Sequence, residues 1–207
     1  MNESSVRIIP LTLSILLCAF AAFASEIREF DLKTIERLGN ELTRVSQTPD
    51  RGATNRARKK AVQTAKAAVQ GKLFNIDYDY VVLNDPDGSG FLVYALGRGS
   101  KPGDTVVFGH VRVTVSADGQ KAEQVDALSN SVLIDNKNVD TSPQGYHKVA
   151  FACATAIGTR PSETLIYASN MMKMPIAVAT PPKGQVWFID NGKITKDAPK
   201  RQLGERR

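Results

Sequence analysis

Hydrophobic positions recur along this chain with two different periods, and the change from one to the other divides it. After Asp31 the stretch LKTIERLGNELTRV places Leu32, Ile35, Leu38, Leu42 and Val45 at steps of three and four. That spacing predicts an amphipathic helix with Asp31 as its N-cap. The turn-forming residues from Gln47 to Gly52 end it. A second helix is expected over residues 55–70, capped by Thr54 and stopped by Gly71. Its apolar side consists of Ala57, Ala61, Ala65, Ala68 and Val69, small residues that permit close approach to whatever they pack on.

From Phe74 the period becomes two. Phe74, Ile76, Tyr78, Tyr80 and Val82 alternate with Asn75, Asp77 and Asp79, which predicts a half-buried strand. The run NDPDGSG turns it into a returning strand over 91–96. Residues 106–115 and 123–128 flank Asp118-Gly119 and read as a second hairpin. Residues 135–145 are polar and read as a surface loop, and the apolar run 147–157 as a buried central strand.

The most informative stretch is 161–195. Ser162 after Pro161 is a good N-cap, Glu163 complements the helix dipole, and a helix to Lys173 is stopped by Pro175. Residues 176–180 form a continuous apolar run suited to an interior strand, and 186–189 and 193–195 pair across Asp190-Asn191-Gly192. The expected fold class is therefore α+β. A helix pair (31–70) precedes a mostly antiparallel or mixed sheet with a further helix (74–195), all in one domain over 25–195.

Outside that domain the chain changes character. Residues 8–23 are uncharged and apolar, follow Arg7, and end in Ala22-Phe23-Ala24. This predicts a secretory signal peptide over 1–24, cleaved near Ala24-Ser25, and a periplasmic or secreted mature protein with no transmembrane segment. Leu17 before Cys18 is too large for a lipidation signal. Cleavage leaves Cys153 as the sole cysteine, so no intramolecular disulfide is available and packing must hold the fold.

The formal net charge of +6 is unevenly distributed. Residues 51–72 carry Arg51, Arg56, Arg58, Lys59, Lys60, Lys66 and Lys72 with no acid, and the tail 196–207 is basic and expected to be disordered. Arg56, Arg58, Lys59, Lys60 and Lys66 are the candidate partner-binding residues. The cluster lacks interleaved aromatics, which argues against nucleic acid. An acidic envelope protein or an anionic cell-envelope surface fits it better.

Candidate chemistry is sparse. His110 and His147 are the only histidines. Either would make a thiol–base pair with Cys153 if the fold brought them together, but Phe151, Ala152 and Ala154 around that cysteine describe an inert buried thiol. A metal site on the histidines, completed by Glu163, Asp77 or Asp104, lacks HxxxH or HxH spacing. No metal and no cofactor is expected. Ser162 is better explained as a cap than as a nucleophile, and Ser129 and Ser131 lack a GxSxG setting. Helical spacing puts Leu165, Ala168 and Met172 on one face, so the methionines at 171, 172 and 174 read chiefly as core.

The order of elements and the segments Pro161-Ser162-Glu163-Thr164, Pro175–Thr180 and Gly184-Gln185-Val186-Trp187 resemble the JAB/JAMM metalloprotease-like domains. That resemblance implies a zinc site built from a His-x-His pair, an aspartate after the serine and an upstream glutamate. Here Ala152-Cys153-Ala154-Thr155 stands where the histidine pair is expected, Leu165 where the aspartate is, and Asp77 near the glutamate position. The order of motifs from Gly109 to Ser131 also resembles uncharacterised exported proteobacterial proteins. Together these imply a hydrolase framework without its ligands. The leading expectation is a non-enzymatic binding or scaffold protein of the bacterial envelope, of inhibitor or immunity type. The alternative is a periplasmic peptidase or cell-wall hydrolase using a rearranged metal site or a Cys153–His site.

Overall fold

The computed structural model describes residues 27–136, 138–139 and 150–197. The expected signal peptide and its cleavage site, His147 and the tail beyond residue 197 lie outside the described residues, as does most of the 135–145 loop. In chain order the elements are α1 (Leu32–Ser46), α2 (Arg56–Ala68), β1 (Asp77–Asn84), β2 (Phe91–Arg98), β3 (Asp104–Phe108), β4 (Val111–Val115), β5 (Ala122–Ala127), β6 (Leu133–Asn136), β7 (Phe151–Ala154), α3 (Glu163–Met172), β8 (Ile176–Thr180), β9 (Gln185–Asp190) and β10 (Lys193–Thr195). The fold is α+β.

Among the described residues the strands form three sheets. The first runs β1-β2-β4-β5 and is antiparallel throughout; the second runs β10-β9-β8-β7, with β7 and β8 parallel across α3; β3 and β6 form a separate antiparallel pair. The two faces of the first sheet carry separate cores. Leu92, Tyr94 and Leu96 of β2 and Val81 and Leu83 of β1 join α1, α3 and the inner residues of the second sheet. Val93 and Ala95, with Val82, Val111, Val113 and Val115, meet Ala61, Ala65 and Val69 of α2 on the other side. Since side chains alternate along a strand, the layers run α2, first sheet, α1 with α3, second sheet.

Small residues set the closest approaches. A Cβ on Gly39 would lie 2.5 Å from Ile166 Cβ and 2.7 Å from Glu163 O, so the absence of a side chain lets α1 and α3 touch backbone to backbone. Asp31 caps α1 as expected, its Oδ1 accepting from Thr34 N at 2.8 Å.

Several expectations are corrected. Asn55, not Thr54, caps α2, with Oδ1 accepting from Arg58 N at 3.0 Å. Ser162 occupies the N-cap position of α3 without a side-chain cap bond; its Oγ meets Thr164 Oγ1 at 2.9 Å instead. The single strand expected over 106–115 is two strands in different sheets. Gly109, at φ +112°, breaks it and redirects the chain from β3 into β4. β6 lies inside a stretch read partly as loop, because four residues are too few to show alternation. In the described part of the run 147–157 the strand is the four-residue β7, which among the described residues lies at the edge of its sheet and not at its centre. Its alternate residues, Ala152 and Ala154, are exposed, and among the described residues no helix covers that outer face.

Candidate functional site

The first sheet buries a row of polar side chains on its inner face. Tyr94, Arg112 and Asp126 are Cα partners across β2, β4 and β5, and Glu163 reaches the same row from the first turn of α3. Arg112 is 1% exposed, Asp126 0% and Glu163 2%, so three formal charges sit out of water together. Arg112 donates to Glu163 Oε1 from Nη1 at 2.7 Å, and to Asp126 Oδ2 from Nη2 at 2.7 Å and from Nε at 3.1 Å. Tyr94 Oη donates to Glu163 Oε1 at 2.8 Å, and Gln124 Nε2 donates to Asp126 Oδ1 at 2.7 Å. Burial, reinforced by the Glu163 charge, holds the Tyr94 hydroxyl well above its ordinary pKa. Burial disfavours the charged Arg112 guanidinium, but Glu163, Tyr94 and Asp126 outweigh it and raise its pKa.

The segment Ile27–Phe30 closes this row from the side. Arg112 Nη2 donates to Arg28 O, and Arg160 Nη1 donates to Phe30 O at 2.9 Å. The Phe30 ring lies against both guanidiniums, 4.7 Å from Arg112 Cζ and 4.9 Å from Arg28 Cζ. Arg28 in turn forks onto Asp85 at 2.7 and 2.6 Å and reaches Asp87 at 2.8 Å. The cavity left beside Arg112 and Glu163 is about 20 Å³, room for one water. The row is a buried clamp between a sheet, a helix and the N-terminal segment, and it offers no space for a substrate.

The residues singled out for chemistry are placed apart or already occupied. His110 is fully buried; its Nδ1 accepts from Gly97 N at 3.0 Å, which leaves the proton on Nε2 to be donated to Val106 O at 3.1 Å. Desolvation lowers its pKa to about 4, so at neutral pH the ring is uncharged and both nitrogens are bonded to backbone. Cys153 is half-buried, packed against the inner core, with its thiol pushed up to about 11 by burial. That is the reverse of an activated nucleophile. Asp77 is exposed and paired with Arg98 at 3.0 Å, Asp104 accepts from Lys101 N at 2.8 Å and from Asn136 Nδ2 at 2.6 Å, and Leu165 is core. Among the described residues no three His, Cys, Asp or Glu side chains are grouped to hold a metal ion, and no helix is long and apolar enough to cross a membrane.

The basic helix divides into two kinds of residue. Arg56, Lys59, Lys60 and Lys66 are exposed along the outer side of α2, Lys66 with its Nζ 4.9 Å from the Tyr80 ring centroid. Arg58 is different. It turns inward, donating from Nη1 to Gly52 O at 3.0 Å and Val82 O at 3.3 Å and from Nη2 to Asn84 Oδ1, and it ties the α1–α2 connection to β1.

The buried row was not anticipated. Its signal in the sequence is an arginine between the valines of VRVTV and an aspartate beside Val125 in QVDAL, charges set among apolar strand positions. Their burial depends on β4 and β5 being neighbours whose inner face is covered by the first turn of α3 and by residues 27–30. No protein-family model, no curated protein and no solved structure matches this chain.

Proposed function

We propose that this protein is exported to the bacterial envelope and acts by binding, docking an acidic protein partner on the outer side of α2 in the manner of an inhibitor or immunity-type protein. The observation that carries this reading is the charge of that surface. Arg56, Lys59, Lys60 and Lys66 span about 15 Å of helix at about 1.5 Å per residue. They are exposed, residues 51–72 contain no acid, and among the described residues none of the four enters an ion pair. Repulsion among them is relieved by an acidic surface, which would also speed encounter.

The same reading is supported by what the other candidates do. His110 has no free nitrogen, Cys153 is a weakly acidic thiol, and Leu165 fills the core at the position where the JAB-like resemblance implies a ligand. A JAB-like framework kept as a scaffold is consistent with all three.

The experiment is a comparison of the mature protein with Lys59→Glu/Lys60→Glu/Lys66→Glu, each immobilised and exposed to envelope extract at low and high salt. Recovery of an acidic protein by the parent at low salt, weakened at high salt and lost in the variant, is the expected result; its affinity is then measured with the purified protein. Equal retention by parent and variant would remove the α2 face from the proposal. Binding to anionic lipid vesicles in place of any protein would replace the partner class.

A further inference from the structure

The interlayer between the first sheet and α3 opens at one end into a cleft of about 230 Å³. It forms where β1's inner face changes character. Leu83 and Val81 are buried under α1, and the next inward positions, Asp79 and Asp77, are polar. Asp79 lies opposite Leu96 and Asp77 opposite Arg98 on β2, so the end of this ladder presents an acid and a base to the same space. Tyr167 and Met171, one turn apart on α3, supply the facing wall, and Leu96 and Val106 an apolar floor.

Three charged side chains line the cleft: Asp79, Arg98 and Asp104, whose carboxylate already accepts from Lys101 N and Asn136 Nδ2. Asp79 Oδ1 is held at 3.2 Å by Arg51, which is outside the lining, and Arg98 Nη2 at 3.0 Å by Asp77, likewise outside it. Asp79 and Arg98 are therefore oriented from behind; no hydrogen bond joins them, although the Arg98 pKa is raised by the Asp77 bond and then by the nearby Asp79 charge, and each keeps polar atoms for a further partner. Each already has one counter-charge and keeps further polar atoms, which a simple cation or anion would engage on one side only. A molecule with an ammonium and a carboxylate a few atoms apart engages both. The volume is below the 300–1,000 Å³ common for drug-sized ligands, which limits the occupant to an amino acid or a dipeptide.

The walls are braced. His110 receives Gly97 N and donates to Val106 O, joining the end of β2 to β3, and Tyr167 packs edge-on against its ring at 6.1 Å between centroids and 81° between planes. A side chain at Gly97 would meet Ile76 Cδ1 at 2.7 Å and Val106 Cγ1 at 3.0 Å, so the bare backbone there lets β2 pack closely against Ile76 and Val106. A site held by packed neighbours in this way needs little ordering on binding.

We infer that this cleft binds a small zwitterion of amino-acid or dipeptide size, with its ammonium at Asp79, its carboxylate at Arg98 and its side chain between Tyr167 and Met171. The inference is independent of the basic face of α2. It is tested by amide-resolved NMR titration of the mature protein with alanyl-alanine, its N-acetyl form and its C-terminal amide, and with free alanine, lysine and phenylalanine. Saturable shifts are expected at residues 96–99, 104–106 and 167–171 with at least one zwitterion, and at least a tenfold weakening when either terminus is blocked. Asp79→Asn and Arg98→Gln should each weaken the same ligand at least tenfold with melting temperatures near the parent's, as both side chains are partly exposed. The absence of saturable shifts with every compound, blocked forms that bind as well as the free one, or variants that bind unchanged would each overturn it.

Discussion

Replacing Arg112 by methionine should reveal how much of the fold depends on one buried cation. The side chain makes three bonds to Asp126 and Glu163, one to Arg28 O, and lies over the Phe30 ring. Methionine keeps much of the volume but leaves carboxylates that are 0% and 2% exposed without their counter-charge. Breaking a buried pair from one side costs about 3–5 kcal/mol, far more than the pair is worth against an apolar replacement of both partners. Against a total stability of about 5–15 kcal/mol, that is a large share. For a chain of this size it corresponds to a fall in Tm of about 6–20 °C. Urea unfolding of the parent, Arg112→Met and Asp126→Leu singly and together measures it. The double variant should recover part of the combined loss, with unchanged m-values. A single Arg112→Met that loses less than about 1 kcal/mol, or a double variant that is simply additive, would refute the coupled row.

Four further outcomes follow from the same geometry. His110 has its pKa lowered to about 4 by burial, so the unfolded chain binds a proton that the folded one refuses. The stability it contributes is present above about pH 6.5 and is lost as pH falls toward 4, by up to about 3 kcal/mol; urea midpoints across that window should fall less steeply in His110→Gln, whose amide can both accept and donate. Gly39→Ala should destabilise by about 1–3 kcal/mol despite alanine's higher helix propensity, since its Cβ meets Ile166 Cβ at 2.5 Å; an increase in Tm would show that the two helices part freely. Arg58→Ala should cost about 1–3 kcal/mol because it unsatisfies the carbonyls of Gly52 and Val82, whereas Lys59→Ala should stay within about 0.5 kcal/mol, as thermal melts would check. Cys153, with its thiol raised to about 11, should react with a disulfide reagent at pH 8 far more slowly than the same thiol in urea; equal rates would contradict its packed position.

The elements with strong periodicity were legible in the sequence. α1 follows from five apolar residues at helical spacing and a capping aspartate, and all of Ile35, Leu38, Leu42 and Val45 are buried where the pattern puts them. The β9–β10 hairpin follows from its Asn-Gly turn, in which both residues have positive φ. What was not legible depended on which strands become neighbours. The apolar run around Cys153 looks like a central strand, yet a sheet has edges, and periodicity does not say which strand takes one. The alternation Tyr78, Tyr80, Val82 correctly marks one face of β1, but the opposite face turns from aspartates to Val81 and Leu83 because α1 covers only its far half. For the same reason the buried arginine escaped notice. VRVTV reads as a strand with one solvated face until a helix is laid over it.

The two polar clusters on the inner face of the first sheet are connected by α3. Glu163, at its first turn, is bonded to Tyr94 and Arg112; Met171, near its end, borders the cleft beside Leu96 and Arg98. Eight residues of helix advance about 12 Å, and four residues of β2 from Tyr94 to Arg98 advance about 13 Å, so helix and strand run in step between the clusters. At one end two buried carboxylates share one guanidinium; at the other the acid and the base face open space. The paired end fixes where the helix lies on the sheet, and this fixes how far Tyr167 stands from Asp79. A clamp of buried charge that costs stability to assemble is explained if its return is a helix held in register over an open cleft. A clamp of aliphatic side chains would hold α3 to the sheet as firmly, but it would define the helix's position along β2 less sharply, because apolar contacts tolerate sliding and a hydrogen-bonded carboxylate does not.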